Sequence, residues 1–202
     1  MPENGSSLLD TLKAAHALKE GHFLLASGRH SDRYVEKFDL LRRPAATEEA
    51  CRQFADRFRD QRIDVVAGPT TGGVILAFET ARQLGTMAAY AERAADGGSA
   101  REFRRGTTFA PGSRVLVVDD ILTTGGSIRE TLAALASQPV EVVAVGVLVD
   151  RSNGAFDPGV PLHALATLEI ATWEAGACPL CASGVPLVKP GTTAATAEAG
   201  GR

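Results

Sequence analysis

Hydrophobic positions along the chain switch period several times, and each switch predicts an element. Ser7 and Asp10 resemble a capping box, and Leu8, Leu12 and Ala15 then fall on one helical face, which predicts a first helix ending near Gly21. Residues 21–39 hold no sustained period and are expected to form loop and short strand. A second helix is predicted just after Pro44, with Ala50, Phe54 and Phe58 as its inward stripe. Residues 63–67 predict a short strand, 68–73 a sharp turn, 74–84 a helix and 86–91 another strand. Residues 92–111 are rich in glycine and arginine and poor in apolar side chains, the pattern of a mobile loop or flexible hairpin. Val115, Leu116, Val117 and Val118 then form a buried strand, followed by a helix with Ile128, Leu132 and Leu135 on one face. Residues 140–149 predict a long apolar strand and 162–168 one more. Beyond Lys189 the chain is mostly Gly, Ala, Thr and Glu, which predicts a disordered tail.

Strands alternating with helices predict an α/β fold with a mainly parallel sheet flanked by helices. Such sheets bind ligands at the carboxyl ends of their strands, near a switch in strand order. The turns after Ala67, Val118 and Val149 would all lie on that edge. The chain shows no internal repeat.

Length and composition narrow the class. A chain of 202 residues fits one domain, with room for a small subdomain, and can bury a core without disulfides. A net charge of -3 gives no reason to expect bulk nucleic-acid binding. No apolar run approaches the length of a membrane span. Residues 1–12 lack a basic region followed by an apolar one, so no secretory leader is expected there. Three cysteines, an odd number, suggest no disulfide framework. Together these favour a cytoplasmic enzyme in a reducing compartment.

The chemistry concentrates in the run from Val115 to Ser127. Two adjacent carboxylates, Asp119 and Asp120, sit where the predicted strand ends, and Thr123-Thr124-Gly125-Gly126-Ser127 leads into the helix. Loop amides and a helix N-terminus make a site for a phosphate dianion. The carboxylates would repel that anion, but they suit neutral hydroxyls beside it. Phosphate with vicinal hydroxyls means a ribose 5-phosphate. The alternative is an ordinary strand-to-helix turn with Ser127 or Thr124 as cap and the aspartates solvated.

This order of residues resembles the signature of the type I phosphoribosyltransferases, which bind 5-phosphoribosyl 1-diphosphate (PRPP). It is neither a Walker loop nor a dinucleotide turn. The flanking segments resemble the orotate phosphoribosyltransferases in particular. They are residues 21–31 (with Ser27-Gly28-Arg29), Phe103-Arg104-Arg105-Gly106, Val149-Asp150-Arg151, and Cys178-Pro179-Leu180-Cys181 with the following Gly184-Val185-Pro186-Leu187. The resemblance spans about residues 12–187.

That resemblance implies a type I phosphoribosyltransferase fold. A helix and hood segment would occupy residues 1–43, a PRPP-binding core 44–160, a C-terminal hood segment 161–188 and a tail 189–202. It implies transfer of ribose 5-phosphate from PRPP to N1 of orotate in UMP biosynthesis, with Mg²⁺ held mainly by PRPP oxygens and water. Asp119 and Asp120 would take the ribose hydroxyls, and Thr123, Thr124, Gly125, Gly126 and Ser127 the 5-phosphate. Thr70, Thr71, Gly72 and Gly73 would face pyrophosphate. Ser27, Gly28, Arg29, Thr123 and Arg151 would contact orotate; Arg151 could instead form a strand-end ion pair, and Arg29 could be a solvated loop charge. Family members are usually homodimers in which a mobile loop reaches the neighbouring active site, so residues 92–101 would act in trans. No membrane or nucleic-acid partner is expected.

The chain also departs from the family pattern. Many members carry lysine where this chain has Ala26 and Gly72, and their catalytic loop often carries further lysines and a histidine. Here residues 92–101 hold neither type, and no lysine lies between Lys37 and Lys189. Arg93 is therefore the first candidate for the leaving diphosphate, followed by Arg101; for Arg104 and Arg105 a solvated hairpin face is expected. Arginine stays protonated, so it can stabilise the leaving group by charge but cannot serve as its general acid. Transfer to another nucleobase, or a PRPP-sensing regulator on the same fold, stays open on these grounds.

Cys178 and Cys181 have the spacing of half a zinc site, but only Cys51 and histidines scattered at 16, 22, 30 and 163 remain to complete it. A site shared across a dimer is one alternative; reduced, partly buried thiols are the expectation. His30 suits either the base pocket or a loop surface, and Trp173 either a hydrophobic plug or a base-stacking platform.

Overall fold

The computed structural model describes residues 8–95, 98 and 100–190. In chain order, its elements begin with α1 (Leu8–Ala14), β1 (Leu18–Leu24), β2 (His30–Val35), α2 (Lys37–Leu41) and α3 (Pro44–Phe58). They continue with β3 (Val65–Pro69), α4 (Gly72–Leu84), β4 (Met87–Arg93), β5 (Arg101–Phe103) and β6 (Ser113–Leu122). Last come α5 (Gly126–Ala136), β7 (Val140–Asp150), β8 (Leu162–Thr167), β9 (Thr172–Trp173) and α6 (Pro179–Ala182). The chain divides into a larger unit of residues 1–17 and 37–169 and a smaller one of residues 18–36 and 170–202.

The larger unit is built on a six-stranded sheet ordered β5-β4-β3-β6-β7-β8. All its pairings are parallel except the antiparallel β4–β5 edge. Strand order runs outward in opposite directions from the β3–β6 pair, so the switch point lies between those two strands. Residues alternate across the sheet as the strand period requires. Val65, Ala67, Val115, Val117, Val145 and Val147 join one core cluster with Ile128 and Leu135 of α5. On the other face, a Cβ at Gly146 would come within 2.9 Å of the Phe54 ring, which places α3 there. Ala50, Phe54 and Phe58 of that helix are fully buried, as the inward stripe predicted, and so is Cys51 beside them.

The smaller unit is a three-stranded antiparallel sheet, β1-β2-β9, with β1 bulged between Glu20 and Phe23. A parallel bridge from Phe23 to Val188 brings the C-terminal segment beside β1.

Several boundaries differ from the sequence pattern. The first helix stops at Ala14, not near Gly21, because His16 takes a left-handed φ of 53° and the chain then enters β1. Residues 37–39, expected as loop or strand, form the start of α2. Strand β6 does not end before its acids but continues to Leu122, because β7 pairs with it that far. Of the two alternatives for residues 92–111, a hairpin forms, with Ala91, Glu92 and Arg93 opposite Phe103, Glu102 and Arg101. Strand β8, assigned above to a C-terminal segment 161–188, pairs with β7 in the larger sheet. Helix α1 also belongs to that unit. From residue 191 on, the expected tail lies outside the described residues.

Candidate active site

The site in the larger unit is set by an overhang. On the β3 side, pairing of β6 ends at Ala67↔Val117, whereas on the β7 side it runs to Leu122↔Asp150. Asp119 and Asp120 therefore stand on a rigid strand with one flank open at the switch point. Strand alternation sends their side chains to opposite faces. Asp119 turns towards α5, where the Ser127 hydroxyl donates to its Oδ2 at 2.6 Å. Asp120 turns towards the other layer, with Lys37 Nζ 2.7 Å from its Oδ2.

Both carboxylates are nearly inaccessible, at 5% and 4% exposure. Burial and the neighbouring charge of Asp120 push the Asp119 carboxyl up to about 6, although the Ser127 hydroxyl pulls the other way. Backbone amides supply further partners: Asp120 N–H donates to Asp119 Oδ1 at 2.8 Å and Ile121 N–H to Asp120 Oδ1 at 2.7 Å.

After Leu122 the chain makes the turn that becomes α5. Thr123 and Thr124 are exposed, and Gly125 caps the helix with φ of 75°. Two constraints demand glycine at 125: the left-handed backbone, and the Phe156 ring, which a Cβ would approach to 2.1 Å. The first-turn amides of this 11-residue helix thus open towards the loop, an arrangement suited to an anion.

The other turn joins β3 to α4. Thr70 is half-buried, Thr71 exposed, and Gly72 and Gly73 already helical and buried. A Cβ at Gly72 would lie 1.8 Å from Asp120 Oδ2, so the turn's backbone and the carboxylate touch directly. Arg101, buried in the β4–β5 hairpin, donates from Nη1 to Thr70 Oγ1 at 3.2 Å and to the Ala91 carbonyl at 3.0 Å. Its Nε donates to Glu130 Oε2 at 3.1 Å, so the arginine links the turn to α5.

A model of the phosphoribosyl transferase domain family matches residues 39–175. The orotate phosphoribosyltransferase of Caldicellulosiruptor bescii is 47% identical over 189 residues, 94% of this chain and 98% of that protein. This chain belongs to the orotate phosphoribosyltransferase family. The namesake from Caldanaerobacter subterraneus subsp. tengcongensis is 45% identical over 185 residues, 92% of this chain and 96% of its own. The crystal structure of orotate phosphoribosyltransferase from Aeropyrum pernix superimposes with a TM-score of 0.67 at 32% identity, covering 80% of this chain and 94% of that one. The fold is thus the type I phosphoribosyltransferase fold.

Within this orotate phosphoribosyltransferase fold the cations are arranged differently from the pattern in the sequence. Arg93 lies exposed on β4, while Arg101, ranked behind it, is the arginine buried against Thr70. Arg105 is exposed and pairs with Glu92 at 3.0 Å, and Arg104 is exposed too, in keeping with a solvated hairpin face. Arg151 follows β7 half-buried, its N–H donating to the Leu122 carbonyl at 2.8 Å, which ties it to the end of β6. Lys37 was missed. No local motif marks this residue in the sequence, because the turn into α2 alone brings it to Asp120.

In the smaller unit, Ser27, Gly28 and Arg29 form the β1–β2 turn. Gly28 N–H donates to the Leu25 carbonyl at 2.9 Å and Leu25 N–H to the Arg29 carbonyl at 2.8 Å. The Arg29 guanidinium is not a loose loop charge. It donates to Thr172 Oγ1 at 3.0 Å and to the Thr172 carbonyl at 2.8 Å, and pairs with Glu174. Trp173 is half-buried in β9, opposite His30.

Proposed function

We propose that this protein transfers ribose 5-phosphate from PRPP to N1 of orotate, releasing pyrophosphate and forming orotidine 5′-monophosphate in pyrimidine biosynthesis. The observation that carries this reading is the overhang of β6. It sets two buried carboxylates between a phosphate-type helix N-terminus and a second tight turn.

In this scheme the 5-phosphate sits on the amides and hydroxyls of Thr123 to Ser127. Asp119 and Asp120 accept the ribose hydroxyls and fix the ring. As the bond from C1 to the diphosphate lengthens, C1 becomes oxocarbenium-like, and the carboxylate pair favours that positive charge. The diphosphate leaves towards the Thr70–Gly73 turn, with Arg101 behind the turn and Arg93 as the exposed clamp. Both arginines act by charge alone. Arg151 and Thr123 are assigned to orotate. The base contacts of Ser27, Gly28 and Arg29 rest on the family resemblance.

Magnesium fits this donor set through the substrate. The two carboxylates already have Ser127, Lys37 and backbone partners, and two side chains fall short of six oxygen ligands. When bound, the ion would neutralise the diphosphate, with PRPP oxygens and water as its main ligands. No helix among the described residues is long and apolar enough to cross a membrane. A cytoplasmic homodimer is the assembly this reading takes from the family.

The test offers PRPP and Mg²⁺ with orotate, uracil, hypoxanthine, guanine or adenine singly and measures pyrophosphate. Release with orotate, abolished by a chelator, is the expected result. Release with a different base, or with none, overturns the assignment.

The raised carboxyl of Asp119 adds a pH signature. Protonation removes charge from the ribose site, so kcat/KM for PRPP is expected to fall as pH drops through about 6. Stability runs the opposite way. The unfolded chain gives up this proton first, so the native state loses stability as pH rises from about 4 to 6. Asp119→Asn should cancel that loss: its urea midpoint should exceed the parent's at pH 8 and approach it at pH 4. Equal midpoints at pH 8 would show that the buried charge costs nothing.

A further inference from the structure

We propose that the smaller unit holds a structural zinc ion, bound by His22 Nε2, His30 Nδ1, Cys178 Sγ and Cys181 Sγ. These four atoms lie within 4.8 Å of one another, and they are the group of metal-type ligands that converges among the described residues. The histidines come from β1 and β2, and the cysteines from the cap (Cys178) and body (Cys181) of α6, so the Cys-x-x-Cys half-site finds its other half on the sheet. Cys51, the remaining cysteine, lies buried in α3 of the larger unit and takes no part.

The spacing suits a tetrahedron. Zinc bonds of about 2.0 Å to nitrogen and 2.3 Å to sulfur give ligand–ligand edges of about 3.4–3.8 Å. Cys178 Sγ lies 3.4 Å and Cys181 Sγ 3.7 Å from His22 Nε2, and Cys181 Sγ 3.3 Å from His30 Nδ1. The two imidazole nitrogens are 2.9 Å apart and would part by about half an ångström on binding.

The hydrogen bonding also points to a cation. His22 Nδ1 lies 2.8 Å from the Val185 carbonyl, which can only accept, so Nδ1 carries the proton and Nε2 presents a lone pair. Three groups crowd that lone pair, and one hydrogen bond satisfies only one of them. A central cation satisfies all four. Two thiolates with two neutral imidazoles are a closed set for zinc and balance its charge. Binding then releases the two thiol protons to solvent.

The unit also needs a clasp. Among the described residues its buried apolar side chains are Phe23, Val35 and Cys178, and His22 and His30 occupy positions where a core would normally be aliphatic. A small sheet with so little apolar burial gains stability from a metal. The cross-link joins residues 22 and 30 to 178 and 181, closing a long stretch of chain, which is where a metal clip removes most unfolded-state entropy. The Leu25–Arg29 turn lies between the two histidine ligands, so the ion would also set the geometry of that turn.

The test is metal analysis of the full-length protein purified without chelator from zinc-supplemented culture. About one zinc per chain is expected. Cys181→Ser and His22→Gln should each lower zinc content at least about tenfold, while Cys51→Ala retains it. Cobalt offered to the metal-stripped wild type should give a thiolate charge-transfer band in the near ultraviolet and the visible bands of a tetrahedral centre. Wild-type protein without zinc or a cobalt–thiolate band overturns the proposal whether or not the variants fold. So does zinc kept by both ligand variants, or stoichiometric iron in its place.

Discussion

Asp120→Asn should lower kcat/KM for PRPP by about 100- to 1000-fold while the fold survives, the range seen when one preorganised charge is removed from a reacting site. The substitution keeps volume and removes the charge that the proposed scheme sets against C1. It leaves Lys37 without its partner, but that side chain is 35% exposed, so water can take over and no stranded buried cation results. The check is steady-state pyrophosphate release alongside a thermal melt. Turnover within about threefold of the parent at unchanged melting temperature would remove Asp120 from the chemistry. Mixing this variant with Arg93→Ala adds a test of assembly. Partial recovery of activity is expected if Arg93 serves its partner's site, and none if it serves its own.

Gly72→Ala should be nearly as damaging, although it adds one methyl group. The new Cβ would meet Asp120 Oδ2 at 1.8 Å and Cγ at 2.8 Å. The carboxylate cannot simply rotate away, because Ile121 N–H and Lys37 hold both its oxygens. Overpacking of this kind costs about 1–3 kcal/mol, and the displaced carboxylate is the one assigned to the ribose. A fall in melting temperature of about 5 °C is expected, with at least a tenfold loss in kcat/KM, roughly 1.4 kcal/mol. Gly176→Ala, where nothing lies within 4 Å of the added atom, is the neutral control. Gly72→Lys brings the same Cβ, so restoring the lysine common in the family should not restore a clamp here. Normal stability and turnover in Gly72→Ala would show that the turn yields easily.

The legible parts of this protein are those whose cause is local. The valine-rich strand, the acid pair and the glycine-serine turn follow one another in sequence, and the turn's backbone chemistry needs no distant partner. The α3 stripe is legible too, because helical periodicity alone decides which residues face the sheet. What was not legible depends on closure of the chain. The end of the first helix depends on His16 entering a left-handed conformation, which no pattern announces. The extension of β6 through the acids depends on β7 continuing beside it. Lys37 reaches Asp120, and Arg101 reaches Thr70, only once the sheet has formed. His22 and His30 read as scattered because their meeting with Cys178 and Cys181 is fixed by pairing between the two ends of the chain.

The opposite facing of Asp119 and Asp120 makes β6 a gauge with no tolerance. From Val115 to Asp120, odd positions serve the α5 layer and Asp120 the opposite one: Val115 and Val117 join the α5 core, Asp119 meets Ser127, and Asp120 meets Lys37. A one-residue slip of this strand's register would exchange both at once, sending valines to the wrong layer and handing each acid the other's neighbours. Core packing thereby proofreads the register of the acid pair. A chain that folds with its valines correctly buried has already delivered each carboxylate to its own layer, Asp119 to Ser127 and Asp120 to Lys37.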